Sequence, residues 1–240
     1  MNILETEELC CFSQRHTLLQ NVTVGFEEGK LYGLLGPNGS GKTTLLRLLS
    51  RIWSPTSGRI LLGGKELGSY SRQQLSRIIS YVPQNHRLAF DYRVEEIVQM
   101  GRYCHGGYSS GADVRKAMSA TDVLHLRDHP VTAISSGEAQ RVLIARALAT
   151  ESKVILLDEP TNNLDIKHAE RIWEILAELK RQGKLVIIAN HDLSRSRQRC
   201  DSVVLLRKSR CVGSGIPDKV LTNEIIEGVF EITTALNMSY

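Results

Sequence analysis

The segment Gly36-Pro-Asn-Gly-Ser-Gly-Lys-Thr43 constrains the fold more than any other part of this chain. It matches the pattern G-x-x-x-x-G-K-[ST], in which glycines let the backbone turn sharply and direct N–H groups towards an anion. It lies between a short apolar run, Leu31–Leu35, and a helical apolar pattern that begins at Leu45. An ordinary glycine-rich turn is the alternative, but a strand, such a loop and a helix in this order predict phosphate binding at the positive end of the helix.

Within this phosphate loop, which we define as residues 36–44, side chains supplement the backbone. Lys42 can reach the β- and γ-phosphates of a nucleotide as a point charge, and the Thr43 hydroxyl can ligate Mg²⁺. The residues predicted to contact the nucleotide are Gly36, Pro37, Asn38, Gly39, Ser40, Gly41, Lys42, Thr43 and Thr44.

Apolar runs alternate with helical patterns along much of the chain. Val22, Val24 and Phe26 read as one face of an early strand. Four runs predict buried strands of a parallel sheet: Leu31–Leu35, Ile78–Val82, Val154–Asp158 and Leu185–Ala189. Helical patterns cover Ala139 to Leu148 and Ile166 to Leu179, and the alternation predicts a doubly wound α/β core.

Between Asn85 and Ile134 the pattern changes. Helical pieces around Val94–Met100 and Val114–Leu124 flank a predicted loop, Gly101–Gly111, that is rich in glycine, serine and tyrosine. We predict a mostly helical subdomain, at about residues 85–150, inserted into a single domain that spans residues 1–240.

Composition excludes few classes of function. Thirty basic and 26 acidic residues give a net charge of +4, which is typical of a solvated surface and gives no reason to expect nucleic acid as a partner. The five cysteines have no metal-ligand spacing, and no secretory signal or run of 18 apolar residues is evident. We expect a soluble, cytosolic chain whose membrane role, if any, depends on a partner.

Two acidic residues follow the apolar run Val154–Leu157. A buried parallel strand delivers them to the edge of the sheet where ligands bind, so Asp158 is a candidate for Mg²⁺ and Glu159 for polarising an attacking water. Strands also end at acidic residues in plain turns, but the phosphate loop upstream favours the functional interpretation.

A possible helix start precedes that strand at Ile134-Ser-Ser-Gly-Glu138. Ser135 and Glu138 form the pattern S-x-x-E, a capping box that any helix can use. A capped helix start with a glycine is also a surface suited to phosphate. Both interpretations remain open at this point.

Taken together, these segments resemble the ATP-binding subunit of ABC transporters, whose signature reads Leu-Ser-Gly-Gly-Gln/Glu before such a helix. Three further segments carry the resemblance: Tyr81-Val-Pro-Gln84 is similar to the Q-loop, Asn163-Leu-Asp165 to the D-loop, and Ala189-Asn-His191-Asp-Leu193 to the switch histidine. The resemblance implies an α/β P-loop NTPase core with a parallel sheet, N-terminal antiparallel β strands and an inserted helical subdomain.

The resemblance also implies roles. ATP and Mg²⁺ are the expected ligands, with Thr43, Gln84 and Asp158 at the metal and Glu159, His191 and Gln84 as catalytic residues. Two such domains would meet head-to-tail, so that Ser135, Ser136, Gly137 and Glu138 close the partner's nucleotide site. Phe12 is the candidate for stacking on adenine, although it could equally belong to the core.

The chain departs from the family pattern at Ser136, where glycine is usual. A side chain there is expected to crowd the backbone at the phosphate, and it would cost roughly 1 kcal/mol or more if the backbone must adopt positive φ. Ser136→Gly is predicted to raise ATPase activity.

The stretch Phe90 to Tyr103 resembles importers of ferric siderophores, haem and cobalamin, in which a Gly-Arg-aromatic run is common. It implies separate membrane permease subunits, contacted here through Phe90 and Tyr92, and indirectly an extracytoplasmic solute-binding protein. The expected location is the cytoplasmic face of the cell membrane. Metal-ion importers are a close rival, and a soluble ABC-type ATPase acting on ribosomes, DNA or iron–sulfur assembly is the alternative of a different class.

Overall fold

The computed structural model describes residues 2–13, 16–84, 91–106 and 111–230. The strands within these ranges are β1 (Asn2–Ser13), β2 (His16–Glu27), β3 (Leu31–Leu35), β4 (Ser57–Leu62), β5 (Lys65–Glu66), β6 (Ile79–Val82), β7 (Val154–Asp158), β8 (Leu185–Ala189), β9 (Ser202–Arg207) and β10 (Arg210–Gly215). The α-helices are α1 (Lys42–Leu49), α2 (Arg72–Ile78), α3 (Val94–Gln99), α4 (Gly111–Ala120), α5 (Ser136–Ala149), α6 (Ile166–Arg181), α7 (Leu193–Arg199), α8 (Pro217–Val220) and α9 (Asn223–Phe230). Short 3₁₀ helices cover Leu67–Ser69, Met100–His105, Leu124–Leu126 and Val131–Ala133.

A six-stranded sheet, in the order β10-β9-β3-β8-β7-β6, carries the centre of the fold. Five of its strands are parallel, and β10 runs antiparallel to β9 at one edge. Strands β3, β7 and β8 are buried at every residue, as expected for parallel strands covered on both faces. All three match the predicted ranges, whereas β6 starts at Ile79 because Ile78 still belongs to α2.

A second, antiparallel sheet has the order β2-β1-β4-β5. On β2 the residues Val22, Val24 and Phe26 are buried on one face, which confirms the predicted strand. Helix α1 packs between the two sheets, where Leu45 and Leu49 are fully buried in one core with residues from both. The phosphate loop therefore leads into a helix whose leucine side chains are buried between the two sheets.

The described part of the segment between β6 and β7 is mainly helical, as predicted. Val98 of α3, Met118 of α4 and Val142 of α5 share a separate hydrophobic cluster. The predicted loop 101–111 begins instead as the 3₁₀ helix Met100–His105, and residues 107–110 lie outside the described part of the chain. Arg102 explains that difference, because its buried guanidinium donates to the Ala149 carbonyl at 3.0 Å and ties the 3₁₀ helix to the end of α5. The predicted subdomain bounds stay a prediction.

Across the residues that the model describes, none of the helices has the length and apolar character needed to cross a membrane.

Candidate nucleotide-binding site

The phosphate loop encloses one side of a cavity of about 830 Å³. Its glycines adopt backbone conformations that other residues rarely adopt, with φ of 144° at Gly36, 76° at Gly39 and 106° at Gly41. A Cβ at Gly36 would lie 2.2 Å from the Leu206 carbonyl oxygen, so glycine is required there for space as well as for conformation. The residues lining the cavity are Thr17, Leu18, residues 36–44, Gln84, Glu159, Asn162, His191 and Phe230.

Two polar groups of this loop indicate an anionic ligand. The buried Lys42 ammonium donates to the Gly36 carbonyl at 2.8 Å and lies 3.8 Å from Glu159 Oε1. Burial lowers the Lys42 pKa, and the nearby carboxylates of Glu159 and Asp158 oppose that shift. The Ser40 hydroxyl is buried and has no hydrogen-bond partner among the described residues. Phosphate oxygens would satisfy both groups, so the loop fits a nucleotide.

Asp158, at the end of β7, lies beside the phosphate loop. The Thr43 hydroxyl donates to its Oδ1 at 3.1 Å, and the Tyr81 hydroxyl donates to its Oδ2 at 3.1 Å. Burial raises the pKa of Asp158, whereas these two hydrogen bonds oppose the shift. Burial also raises the pKa of Tyr81 to about 12, so the phenol remains a donor at neutral pH. A hydroxyl beside a carboxylate is an oxygen ligand set suited to Mg²⁺.

Glu159 follows on the same strand and is held by side chains from the neighbouring strand ends. Gln84, after β6, donates to Glu159 Oε2 at 2.6 Å, and the Asn162 amide donates to the same oxygen at 3.3 Å. His191, after β8, places Nδ1 3.9 Å from Glu159 Oε1. Gln84, Glu159 and His191, predicted as catalytic, thus come together at the carboxyl edge of the parallel strands.

The signature segment, residues 134–138, forms the start of α5. Ser135 is the N-cap: its hydroxyl accepts from the Glu138 N–H at 3.3 Å and donates to Glu138 Oε2 at 2.7 Å. The Glu138 side chain also accepts from the Ser135 N–H at 2.8 Å, which completes the capping box. These hydrogen bonds from Ser135 lower the Glu138 pKa. Ser135 and Ser136 are exposed, and neither is among the described residues that line the cavity of their own chain.

Ser136 is the first helical residue of α5, with the backbone of that position rather than positive φ. The condition under which its side chain was expected to cause strain is therefore not met in this structure. Backbone strain therefore gives no reason to expect a more active Ser136→Gly variant, whereas crowding at the partner's phosphate stays a prediction.

Phe12, the candidate for adenine stacking, lies on β1 with 47% of its surface exposed. Thr17 and Leu18 of β2 line the cavity, and Phe12 is not among the described lining residues. Its role remains a prediction.

Sequence reasoning did not assign roles to Tyr81, Asn162 or Phe230. Tyr81 stands inside a segment that carried the resemblance and Asn162 directly precedes another, which was the available signal. Phe230, at the end of α9, lines the cavity although no sequence pattern connects it with the phosphate loop.

Comparison with known proteins matches residues 19–162, more than half of the chain, to the family described as ABC transporter. The chain is 38% identical over 224 residues to the cobalamin import ATP-binding protein BtuD of Halobacterium salinarum, covering 91% of this chain but only 56% of that relative. It is 36% identical over 234 residues to the ferric enterobactin transport ATP-binding protein FepC of Escherichia coli, covering 95% and 86%. It is 40% identical over 222 residues to the hemin import ATP-binding protein HmuV of Enterobacter cloacae, covering 90% and 85%.

Solved structures of ABC transporter subunits have a similar fold. The cbiO1 subunit from Clostridium perfringens, part of the ABC transporter complex cbiONQ, superposes with a TM-score of 0.83 at 32% identity, covering 94% of this chain and 92% of that one. The ATP-binding cassette MJ1267 in its ADP conformation has a TM-score of 0.87 at 23% identity over 98% and 100% of the two chains, which supports the fold alone. The chain therefore belongs to the ABC transporter family, and it is similar to ATP-binding proteins of import systems.

Proposed function

We propose that this protein binds and hydrolyses ATP to power import of a solute through separate permease subunits. The observation that carries the proposal is the convergence of Lys42, Thr43, Asp158, Glu159 and Gln84 on one cavity. Lys42 and the inward-facing backbone of the phosphate loop neutralise and orient the terminal phosphates. Phosphoryl transfer depends mainly on such positioning and charge neutralisation.

Glu159 is the proposed general base, because it lies at the cavity wall with only 11% of its side chain exposed. Its carboxylate accepts the proton of a water that attacks the γ-phosphate, while Gln84 and Asn162 fix the carboxylate's orientation. His191 lies near enough to contact the γ-phosphate. Thr43 and Asp158 would hold Mg²⁺, with Gln84 as a further proposed ligand, and the ion would offset the negative charge of the phosphates.

The nucleotide site is completed, in this proposal, by a second copy. The exposed Ser135 and Ser136 at the positive end of α5 offer a phosphate-binding surface, and they are not among the described residues that line the cavity of their own chain. A two-fold pair would place each α5 start against the partner's nucleotide, and hydrolysis would release that bridge.

The proposed permease contact lies on the helical segment after Gln84. Tyr92 and Tyr103 are 41% and 69% exposed, and Tyr103 also lines a groove of about 640 Å³ between α2 and the 3₁₀ helix Met100–His105. Exposed aromatic residues beside a groove suit a protein partner's anchoring side chains. Phe90, the other predicted anchor, lies outside the described residues.

The relatives named above import cobalamin, ferric enterobactin and hemin. We infer a solute of the same broad class, an iron chelate, haem or corrinoid, for which specificity would be set by the permease and an extracytoplasmic binding protein. The ATPase would then lie at the cytoplasmic face of the membrane.

Purification from native membranes in mild detergent tests the proposal. A polytopic permease should co-purify with the wild-type chain, and the complex should release phosphate from MgATP; a Lys42→Ala complex should retain the permease but lose hydrolysis. Recovery of ribosomal or iron–sulfur assembly proteins without a permease would overturn the importer function.

A further inference from the structure

The imidazole of His168, in the first turn of α6, is fixed by the residue that caps this helix. Asp165 Oδ1 accepts from the His168 N–H at 2.8 Å. The His168 Nδ1 also lies 2.8 Å and 2.9 Å from the two carboxylate oxygens of Asp165. One carboxylate therefore sets both the helix start and the orientation of the ring.

The ring lies directly against the signature segment. A Cβ built on Gly137 would lie 2.4 Å from His168 Cδ2 and 2.5 Å from Cγ. Gly137 is buried, whereas its neighbours Ser135 and Ser136 are exposed. Glycine is needed at this position because an imidazole occupies the space of a side chain, and Gly137 is not among the residues with positive φ.

Asp165 in turn belongs to a short loop that starts beside the catalytic glutamate. Asn162 donates to Glu159, and Asn163 turns the chain with φ of 59° before Asp165 caps α6. Contacts and a short stretch of backbone thus run from Glu159 through Asp165 and His168 to Gly137.

We infer that His168 is a positioning residue for ATP hydrolysis, holding the start of α5 in the orientation that closes the partner's nucleotide site. The inference rests on the head-to-tail pairing proposed above. In each copy, the conformation of the loop from Asn162 to Asp165 determines the position of His168. His168 in turn determines how well the start of α5 contacts the nucleotide bound to the other copy. His168 can position α5 and connect it to the loop beside Glu159 without touching ATP.

Three substitutions distinguish the hydrogen bond between the His168 ring and Asp165 from the packing of the ring against Gly137. His168→Asn keeps a donor near the position of Nδ1 but removes the ring from Gly137. His168→Phe keeps a ring over Gly137 but removes the hydrogen bond to Asp165. His168→Ala removes both, and His129→Asn, at an exposed histidine of the helical segment, is the matched control.

Two readouts are measured in a Glu159→Gln background. The first is binding of a fluorescent ATP analogue to the monomer, and the second is ATP-induced dimerisation. We expect His168→Ala to weaken dimerisation and, in the otherwise wild-type chain, to lower kcat by about tenfold, the scale of one or two lost hydrogen bonds and contacts. Monomer affinity should stay within about twofold, and Asn and Phe should each restore part of the loss. Dimerisation and kcat equal to the His129→Asn control in all three variants would overturn the inference.

Gly137→Ala tests the contact between Gly137 and the His168 ring by changing Gly137 instead. It remains informative if a His168 variant fails to fold. Its new Cβ would collide with the ring, so it should impair dimerisation, and His168→Ala in the same chain should restore part of the loss. An additive double variant would contradict a direct contact.

Ser135→Ala separates failure of this inference from failure of the proposed pairing. If Ser135→Ala impairs dimerisation while the His168 variants do not, only the role of His168 is wrong. If neither Ser135→Ala nor the His168 variants affect dimerisation, the proposed closure by α5 is itself wrong, and the inference falls with it.

Discussion

Glu159 is held in an unusual conformation by its neighbours. Its backbone φ of 47° is one that a non-glycine residue adopts at a cost of about 1–2 kcal/mol. The donors Gln84 and Asn162 converge on one oxygen of its carboxylate, and Lys42 and His191 lie near the other. Such strain persists where surrounding contacts fix the residue, which fits a group whose position matters for chemistry.

Replacing Glu159 by glutamine should separate binding from hydrolysis. The variant should still bind ATP, because the phosphate loop is unchanged, but its turnover should fall by about 10²–10⁴-fold without the general base. Closed dimers should then accumulate on size-exclusion chromatography with MgATP. Glu28→Gln, at an exposed glutamate, is the control, and wild-type phosphate release from Glu159→Gln would exclude Glu159 as the base.

Tyr81→Phe should alter the magnesium and pH dependence of the enzyme. The change removes the donor to Asp158 Oδ2, a hydrogen bond that favours the charged carboxylate, so the Asp158 pKa should rise further above its usual value. Less carboxylate is then available at low pH, and the acidic limb of Mg²⁺-dependent hydrolysis should shift towards higher pH. We also expect about tenfold more Mg²⁺ at half-maximal activity at neutral pH.

Tyr70→Phe is a suitable control, since the Tyr70 hydroxyl donates to the Leu62 carbonyl rather than to the site. An unshifted pH profile and an unchanged magnesium requirement in Tyr81→Phe would show that Thr43 alone is enough to position Asp158.

The residues of the site were predictable where they follow buried strands or stand in the glycine-rich loop. Gln84, Glu159 and His191 meet because parallel strands end at the same edge of the sheet. The contact between Tyr81 and Asp158 depends on the register in which Tyr81 pairs with Leu156, and sequence alone does not fix that register.

Among the elements, those buried on both faces were predicted with accurate bounds. Strands β3, β7 and β8 are uninterrupted apolar runs, so burial and sequence coincide. Edge strand β10 is half exposed and contains two glycines, which leaves little pattern to recognise, and β9 was also not predicted. The prediction of a loop after Met100 was wrong at its start, because Arg102 donates to the Ala149 carbonyl at the end of α5 and this long-range contact stabilises a 3₁₀ helix.

At the start of α5, Ser136→Gly should leave ATPase activity within about twofold of wild type, because the backbone there is already helical and glycine gives up only a little helix propensity at a terminal position. Steady-state phosphate release measures this. A clear rise would mean that the Ser136 side chain obstructs the partner's nucleotide.

The whole molecule should gain stability when it binds nucleotide, since the cavity that holds the nucleotide exists only in the folded chain. At a ligand concentration about 100-fold above Kd the gain is about 2.7 kcal/mol, or about 5–10 °C in Tm for a chain of this size. Lys42→Ala should abolish the ATP-dependent shift, whereas Lys30→Ala, at a residue paired with Glu27 outside the cavity, should retain it. Differential scanning calorimetry distinguishes these outcomes, and a full shift in Lys42→Ala would contradict the assigned site.

The segment between β6 and β7 leaves the sheet and returns to it on adjacent strands. Because β6 and β7 are parallel, this segment leaves the sheet at the carboxyl end of β6, beside the 2.6 Å hydrogen bond between Gln84 and Glu159, and returns at the opposite edge, where β7 begins. We expect a displacement of the chain that follows Gln84 to change this hydrogen bond before it deforms the rest of the sheet. A force applied to this segment from outside would then change how Glu159 activates water, whereas Lys42 and the phosphate loop would still hold the nucleotide.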